Sequence, residues 1–447
     1  MSINHHSCTE NVTLTRRGLL GGAASLALWG YMPRAAIAGT RDPRLLTVIL
    51  RGGLDGISLA APVGDPDYVR LRQAIAMSKP GEAGGGLPLT ELFALNPHMP
   101  FLHALYQKKE ALVVHAVHTP YRERSHFDGQ DVLESGMPGV SKARDGWLNR
   151  ALANLPHQGK VSPKGLSLGP VVPLVMQGKA EVLSWIPKVY NLPLRESTVA
   201  RLMDLYGQTD PGLAKALTNG LEMVRVADAS VAAGVTATAA TAPGQPTATP
   251  AATPAATPAA TPAPTPARGG LNANQFREFT EAAEMAAKFM KAADGPRIGA
   301  LSYNGWDTHA NEGVVQGNLG NRLGGLDAAI QALHDGLGAD VWKDTVVMIV
   351  TEFGRTARVN GTSGTDHGTA TCALFVGGAV KGGRVLADWP GLADANLYEN
   401  RDLKPTTDLR AMFKGVLRDH LGIPDGALSS VVFPESGAVK GVDGLIG

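Results

Sequence analysis

Four short segments hold side chains able to do chemistry. Asp307-Thr-His309 sets a carboxylate and an imidazole two positions apart, so an extended chain projects both to one face, a pairing that suits a divalent cation. Thr351-Glu352-Phe-Gly-Arg355 joins an acid to a guanidinium, and the Gly/Ser/Thr-rich loop after it carries Asp366 and His367. In Arg51-Gly-Gly-Leu-Asp55-Gly56 the glycines permit a tight turn that either aims Asp55 at a strand edge or leaves it capping its own loop. The fourth segment, Tyr121-Arg-Glu-Arg124-Ser125-His126-Phe-Asp128, runs into a helical pattern. Ser125 with Asp128 three residues on resembles a capping box with Asp in place of Glu or Gln. A helix starting there aims free N–H groups and its positive end at whatever sits above Ser125, which suits a phosphate, a sulfate or a nucleophile. The same pattern equally fits Ser125 as a plain N-cap and His126 as a polar surface residue.

These segments follow runs that read as strands. Thr345 to Thr351 is continuously apolar and β-branched, the signature of a central strand buried on both faces of a parallel sheet. Leu45–Leu50, Ala111–Val117, Arg297–Tyr303 and Ala373–Val376 read similarly, with weaker strands near Leu166 and Val172. Helices are expected around 68–77, 146–150, Leu202, Leu217, from Asn272 or Asn274 onward, over 317–337, and in a closing stretch stopped at His420-Leu-Gly-Ile-Pro424. The pattern predicts an α/β fold with a mostly parallel central sheet between helices, and ligand-binding groups gather at the carboxyl ends of the strands in such sheets.

The chain of 447 residues is 44% hydrophobic, ample for a large core. Thr15-Arg16-Arg17-Gly18 opens an apolar stretch ending near Trp29, and Ala36-Ile-Ala38 offers small residues for cleavage. A spanning helix needs about 20 apolar residues. The run is shorter and contains glycine, so it reads as an export signal over residues 1–38 rather than a stable membrane span. The paired arginines look like a twin-arginine signal, which implies engagement of that export machinery by an already folded chain bound for the periplasm or the exterior. Removing residues 1–38 takes three arginines and one glutamate from a chain of net charge +1, leaving −1, which gives no reason to expect a nucleic-acid partner. Cys372 is then alone, so no internal disulfide forms. Residues 229–270 turn to Ala, Thr and Pro, a composition that predicts a disordered insert dividing one α/β domain into parts at 39–228 and 271–447.

Taken together, Leu-Arg-Gly-Gly-Leu-Asp55-Gly, Tyr-Arg-Glu-Arg-Ser125-His-Phe-Asp-Gly-Gln, Trp-Asp307-Thr-His309, Thr-Glu352-Phe-Gly-Arg355-Thr and Thr-Asp366-His367-Gly closely resemble an exported bacterial family of unknown function, DUF1501. That family in turn resembles a distant branch of the alkaline phosphatase and sulfatase superfamily. The resemblance implies a first metal held by Asp307, His309 and His367, and a second held by Asp55 and an acid-histidine pair that reads Glu352-Phe353 here. Phenylalanine cannot ligate, so the second site is short of a ligand unless His126 or Asp366 joins it. It further implies a Ser125 nucleophile, with Arg355 or Arg124 offsetting transition-state charge, acting on a phosphate or sulfate ester of a small molecule or polymer. About one tightly bound divalent metal, Zn or Mn, is expected. The alternative is a non-catalytic envelope binding or assembly protein that keeps the fold.

Overall fold

The apolar runs form strands because each can bury both faces. The computed structural model describes residues 41–156, 164–169, 171–186 and 276–447, with some positions between 199 and 218. The readings on residues 1–38, on the insert at 229–270 and on Asn272 and Asn274 lie outside the described residues. In chain order the main sheet contains β1 (Arg44–Arg51), β2 (Ala111–His118), β3 (Gly165–Leu168), β4 (Val182–Trp185), β5 (Ile298–Asn304), β6 (Thr345–Val350), β7 (Thr371–Val376), β8 (Arg384–Ala387) and β9 (Thr407–Asp408). Their spatial order is β8-β2-β7-β6-β1-β5-β3-β4, with β9 also paired to β2. Strands from both sides of the insert therefore share one sheet.

The sheet is mixed. β7 runs antiparallel to both its neighbours, β2 and β6, whereas the other pairings are parallel. Successive side chains of a strand point to opposite faces, and the core divides accordingly. Val347 and Ile349 of β6 join Leu46, Val48 and Leu50 of β1 on one face, against α1 (Pro100–Gln107), α4 (Arg277–Lys291) and α5 (Asn318–Leu337). Val346, Met348 and Val350 join Leu45 and Ile49 on the other, against α3 (Trp147–Ala153) and α6 (Leu409–Leu421), with Leu133 of α2 (His126–Ser135). The result is a three-layer α/β/α fold with β6 central, all six of its residues buried.

Two local expectations are corrected. No strand forms near Val172; Leu174–Met176 is a 3-10 turn and the next strand is Val182–Trp185. Pro173 explains this, since it lacks the N–H a strand ladder needs. The capping box does not form either: Ser125 is the N-cap of α2 without a side-chain cap bond, and Asp128 accepts instead from the Tyr121 hydroxyl at 3.3 Å. Among the described residues, no helix is long and apolar enough to cross a membrane.

The parallel neighbours β6, β1 and β5 all end at one edge, and β7, running the other way, begins there. Ile349→Ala should cost about 2–5 kcal/mol by the transfer and cavity terms. Val69→Ala, at a side chain 63% exposed, should change stability by less than about 0.5 kcal/mol. Urea unfolding of both variants beside the unaltered protein checks the contrast.

Candidate metal centre

The edge where β1, β5 and β6 end and β7 begins gathers Gly52–Asp55, Gly305–His309, Thr351–Arg355 and Asp366–His367. The N-terminus of α2 supplies His126 to the same place. Close approach of the β1 and β5 loops rests on Gly52, which adopts φ +122° and whose hypothetical Cβ would lie 2.6 Å from the Asp307 nitrogen. No other residue type fits there without moving the backbone.

His126, Asp307 and His367 form a group that could hold a metal ion, with one ligand atom of each within 4.8 Å of the others. His309 adds a fourth donor: its Nε2 stands 2.9 Å from His367 Nε2 and 3.1 Å from Asp307 Oδ1. His367 Nε2 is 3.2 Å from the same carboxylate oxygen. The partners of the opposite ring nitrogens fix what those Nε2 atoms are. His367 Nδ1 meets the Arg124 carbonyl at 2.9 Å, His126 Nδ1 meets Glu352 Oε1 at 2.8 Å, and His309 Nδ1 meets Asp366 Oδ1 at 3.2 Å. A carbonyl or carboxylate only accepts, so each Nδ1 donates and, in the neutral ring, each Nε2 presents a lone pair. Three lone pairs and a carboxylate thus converge, an arrangement that repels unless a cation sits among them. The triangle of Asp307 Oδ1, His309 Nε2 and His367 Nε2 has edges of 2.9–3.2 Å. Ligands about 2.0–2.1 Å from a tetrahedral Zn²⁺ lie roughly 3.3–3.5 Å apart, so a bound ion would spread this triangle by a few tenths of an ångström. His126 Nε2 is buried without a hydrogen-bond partner and stands 3.5 Å from Asp307 Oδ2. The donors present therefore fit a borderline divalent ion.

The surroundings act on these groups in different directions, and a metal ion would have to displace a proton from His126. Hydrogen bonding to Glu352 raises the His126 imidazole above its ordinary value. Burial lowers His367, helped by the positive charges of His126 and Arg355, which keeps it neutral as a ligand must be. Burial would raise Asp307, but Arg355, His309 and His126 outweigh it and hold the carboxylate low. Arg355 is itself buried, donating from Nη2 to Asp307 Oδ1 at 2.6 Å, while its Nε and Nη1 have no protein partner.

Three residues read as ligands or charge donors in the sequence, Glu352, Arg124 and Asp55, have other partners. Glu352 lies behind His126: its Oε1 accepts from the Gly52 amide at 2.8 Å and from Gln130 Nε2 at 3.2 Å as well as from His126. Its burial would favour the protonated form, yet these donors keep its acidity strong, so it orients His126 as a charged anchor. Phe353, where a ligating histidine would stand, stacks on His126 at 4.9 Å. Arg124 is engaged by Asp402 at 2.8 Å and Glu399 at 2.5 Å, and it is its backbone carbonyl that reaches the centre. Asp55 is wholly buried and caps the one-turn helix Gly56–Leu59. Its carboxylate is bound by Arg72 and by Ser58 Oγ at 2.5 Å. Ser125 sits one residue from His126, its amide donating to the Tyr121 hydroxyl at 3.1 Å.

Sequence reasoning missed two groups. Gln130 stands one helical turn after His126, the spacing that puts both on Glu352, and this was the available signal. Glu312, buried three residues beyond His309, lies against Asp55 and accepts from Thr365 Oγ1 at 2.8 Å. Nothing local marked it.

The family model described as "Protein of unknown function (DUF1501)" matches residues 106–432. A comparison with curated proteins gave no match. Among solved structures the chain is similar to Ps i-CgsB in complex with k-i-k-neocarrahexaose, with TM-score 0.41 and 10% identity over 90% of this chain and 75% of that one. It is also similar to a protein in the alkaline phosphatase superfamily from Vibrio parahaemolyticus, with TM-score 0.33 and 12% identity over 78% and 63% of the two chains. Phosphonate monoester hydrolase of Agrobacterium radiobacter gives TM-score 0.33 and 11% identity over 86% and 74%.

Beneath the centre, burial and the Asp55 charge push the Glu312 carboxyl well above the usual range, against the opposing effects of Arg72 and Thr365. Glu312 thus keeps a proton in the folded chain that the unfolded chain releases. Its contribution to stability is full below the ordinary glutamate value and is lost as pH rises through the raised one. Glu312→Gln should flatten the alkaline side of the melting-temperature profile, measured from pH 5 to 9.

Proposed function

The chain belongs to the DUF1501 family of proteins of unknown function, and we propose that it is a metal-dependent hydrolase of phosphate or sulfate esters acting outside the cytoplasm. The observation that carries this reading is the convergence of the His126, His309 and His367 lone pairs on Asp307. These four residues would hold one divalent ion, Zn²⁺ or Mn²⁺ by donor chemistry, which would polarise the ester and make a nearby hydroxyl a stronger nucleophile. Ser125 would be the nucleophile; what supports it is its position before His126 at the N-terminus of the ten-residue α2, with a hydroxyl that makes no cap bond. Attack by Ser125 Oγ on phosphorus or sulfur expels the alcohol, and water then releases the inorganic product from the serine ester. Free N–H groups at the start of α2 would favour an incoming anion, and Arg355, buried behind Asp307, would add positive charge to the site without touching the ester.

A second reading, a binding or assembly protein with a structural metal, draws on the engagement of Asp55 by Arg72 and of Arg124 by Glu399 and Asp402. Both readings expect one tightly held metal per chain, since Asp55 and Phe353 leave a second site without ligands. Elemental analysis should find about one, by the ligand count, and His309→Ala should lose it. Turnover of an aryl phosphate and sulfate panel separates the readings. Under the hydrolase reading Ser125→Ala drops turnover by about 10³-fold or more with metal content kept; no turnover by metal-loaded protein leaves the binding role.

Export completes the proposal. Arg16→Lys with Arg17→Lys should leave precursor in the cytoplasm, read by fractionation and immunoblot, and normal export of that variant would remove the twin-arginine route.

A further inference from the structure

His367 presents Nε2 to the centre because the Arg124 carbonyl holds its Nδ1 hydrogen, so the position of one backbone carbonyl sets which ring nitrogen is free. That carbonyl belongs to a residue in an uncommon conformation: Arg124 has φ +63°, in the left-handed region that costs an ordinary side chain energy. Something must keep it there. Arg124 Nε donates to Asp402 Oδ2 at 2.8 Å and its Nη2 reaches Glu399 Oε2 at 2.5 Å, so one guanidinium is gripped by two carboxylates. Asp402 is wholly buried, and its own backbone is fixed by paired bonds with Tyr398 and a bridge to Thr356, the residue after Arg355. Glu399 and Asn400 of the same turn also take positive φ.

We propose that Asp402 is a positioning residue for His367, acting through the Arg124 side chain to hold the Arg124 carbonyl where it selects the ligating nitrogen. Glu399, 55% exposed at its side chain, is the weaker arm of the same grip. The inference rests on the metal-centre reading for its consequence, but the tautomer of His367 is a property of the metal-free chain and is tested without it.

The experiment compares the unaltered protein with Asp402→Asn, Arg124→Ala and Arg124→Gly. In metal-free protein, ¹⁵N NMR of histidine should show His367 protonated at Nδ1, with both Asp402→Asn and Arg124→Ala shifting it toward a mixture of tautomers. Zn²⁺ titration against a chromophoric chelator should show affinity falling about 10–100-fold in those two variants, the usual cost of losing an outer partner of a metal-ligating histidine. Arg124→Gly, which removes the same grip but tolerates φ +63° without strain, should bind more tightly than Arg124→Ala. An unchanged His367 tautomer in both Asp402→Asn and Arg124→Ala overturns the proposal, as does measurable Zn²⁺ binding of equal affinity in all four proteins. Unaltered protein that fails to bind Zn²⁺ while the tautomer still shifts overturns the metal reading and leaves the positioning role standing. Should Arg124→Ala not fold, Asp402→Asn, nearly isosteric, carries the test alone.

Discussion

Arg72 is a wholly buried cation, and a buried charge is tolerable only when matched and hydrogen-bonded. Its guanidinium binds the Asp55 carboxylate, Ser58 Oγ at 3.1 Å and the Thr356 carbonyl at 3.2 Å. Glu312 completes the cluster from the segment that follows His309, and Thr365 joins Glu312 from the segment that precedes His367. The cation therefore knots together the chain leaving β1, the chain leaving β5, the chain leaving β6 and the chain entering β7. With Asp55 ionised, Arg72 charged and Glu312 protonated, the cluster is neutral. Removing either partner alone strands the other, which is why such a group fixes loop geometry even where its net contribution to stability is small.

Much of this architecture was legible because it is written in contiguous residues. The run from Val346 to Val350 is apolar at every position, and a strand of that kind must lie inside a sheet. Asp307, His309 and His367 were visible for the same reason, since each sits in a short polar motif directly before or after a strand. Partnerships between distant residues were not legible. Asp55 could be read as a ligand or as a loop cap, and what decides is Arg72, a residue on a different element with no local sign of its partner. Glu352 and Arg124 carry the right charges for a metal or an anion, but Gly52, His126 and Gln130 engage the first while Glu399 and Asp402 engage the second. Near Val172 the hydrophobic pattern was present, and the missing N–H of Pro173 outweighed it.

Fixing three imidazoles by their far nitrogens has a common logic with different materials. His126 leans on a buried carboxylate, His309 on a half-exposed one and His367 on a main-chain carbonyl. The first raises its ring's basicity by charge, whereas the last orients without adding charge, so the donors around Asp307 are not equivalent in strength. Phe353 closes one wall with an apolar ring against His126 and His367, reducing the competition of water for both.

The register of β1 also bears on how the molecule is made. Leu45 pairs with Ile298 on one side and Val346 on the other, so the first strand emerges from the ribosome about 250 residues before either neighbour exists. At about 5–20 residues per second that is roughly 13–50 s during which a mostly apolar strand has no native partner. Long-range parallel pairing is slow for the further reason that loop closure comes before the contacts that reward it. The early part of the sheet cannot complete on its own, because β1 lies between β5 (Ile298–Asn304) and β6 (Thr345–Val350). The nascent chain therefore carries β1 without its native neighbours until the residues beyond Ile298 have been made.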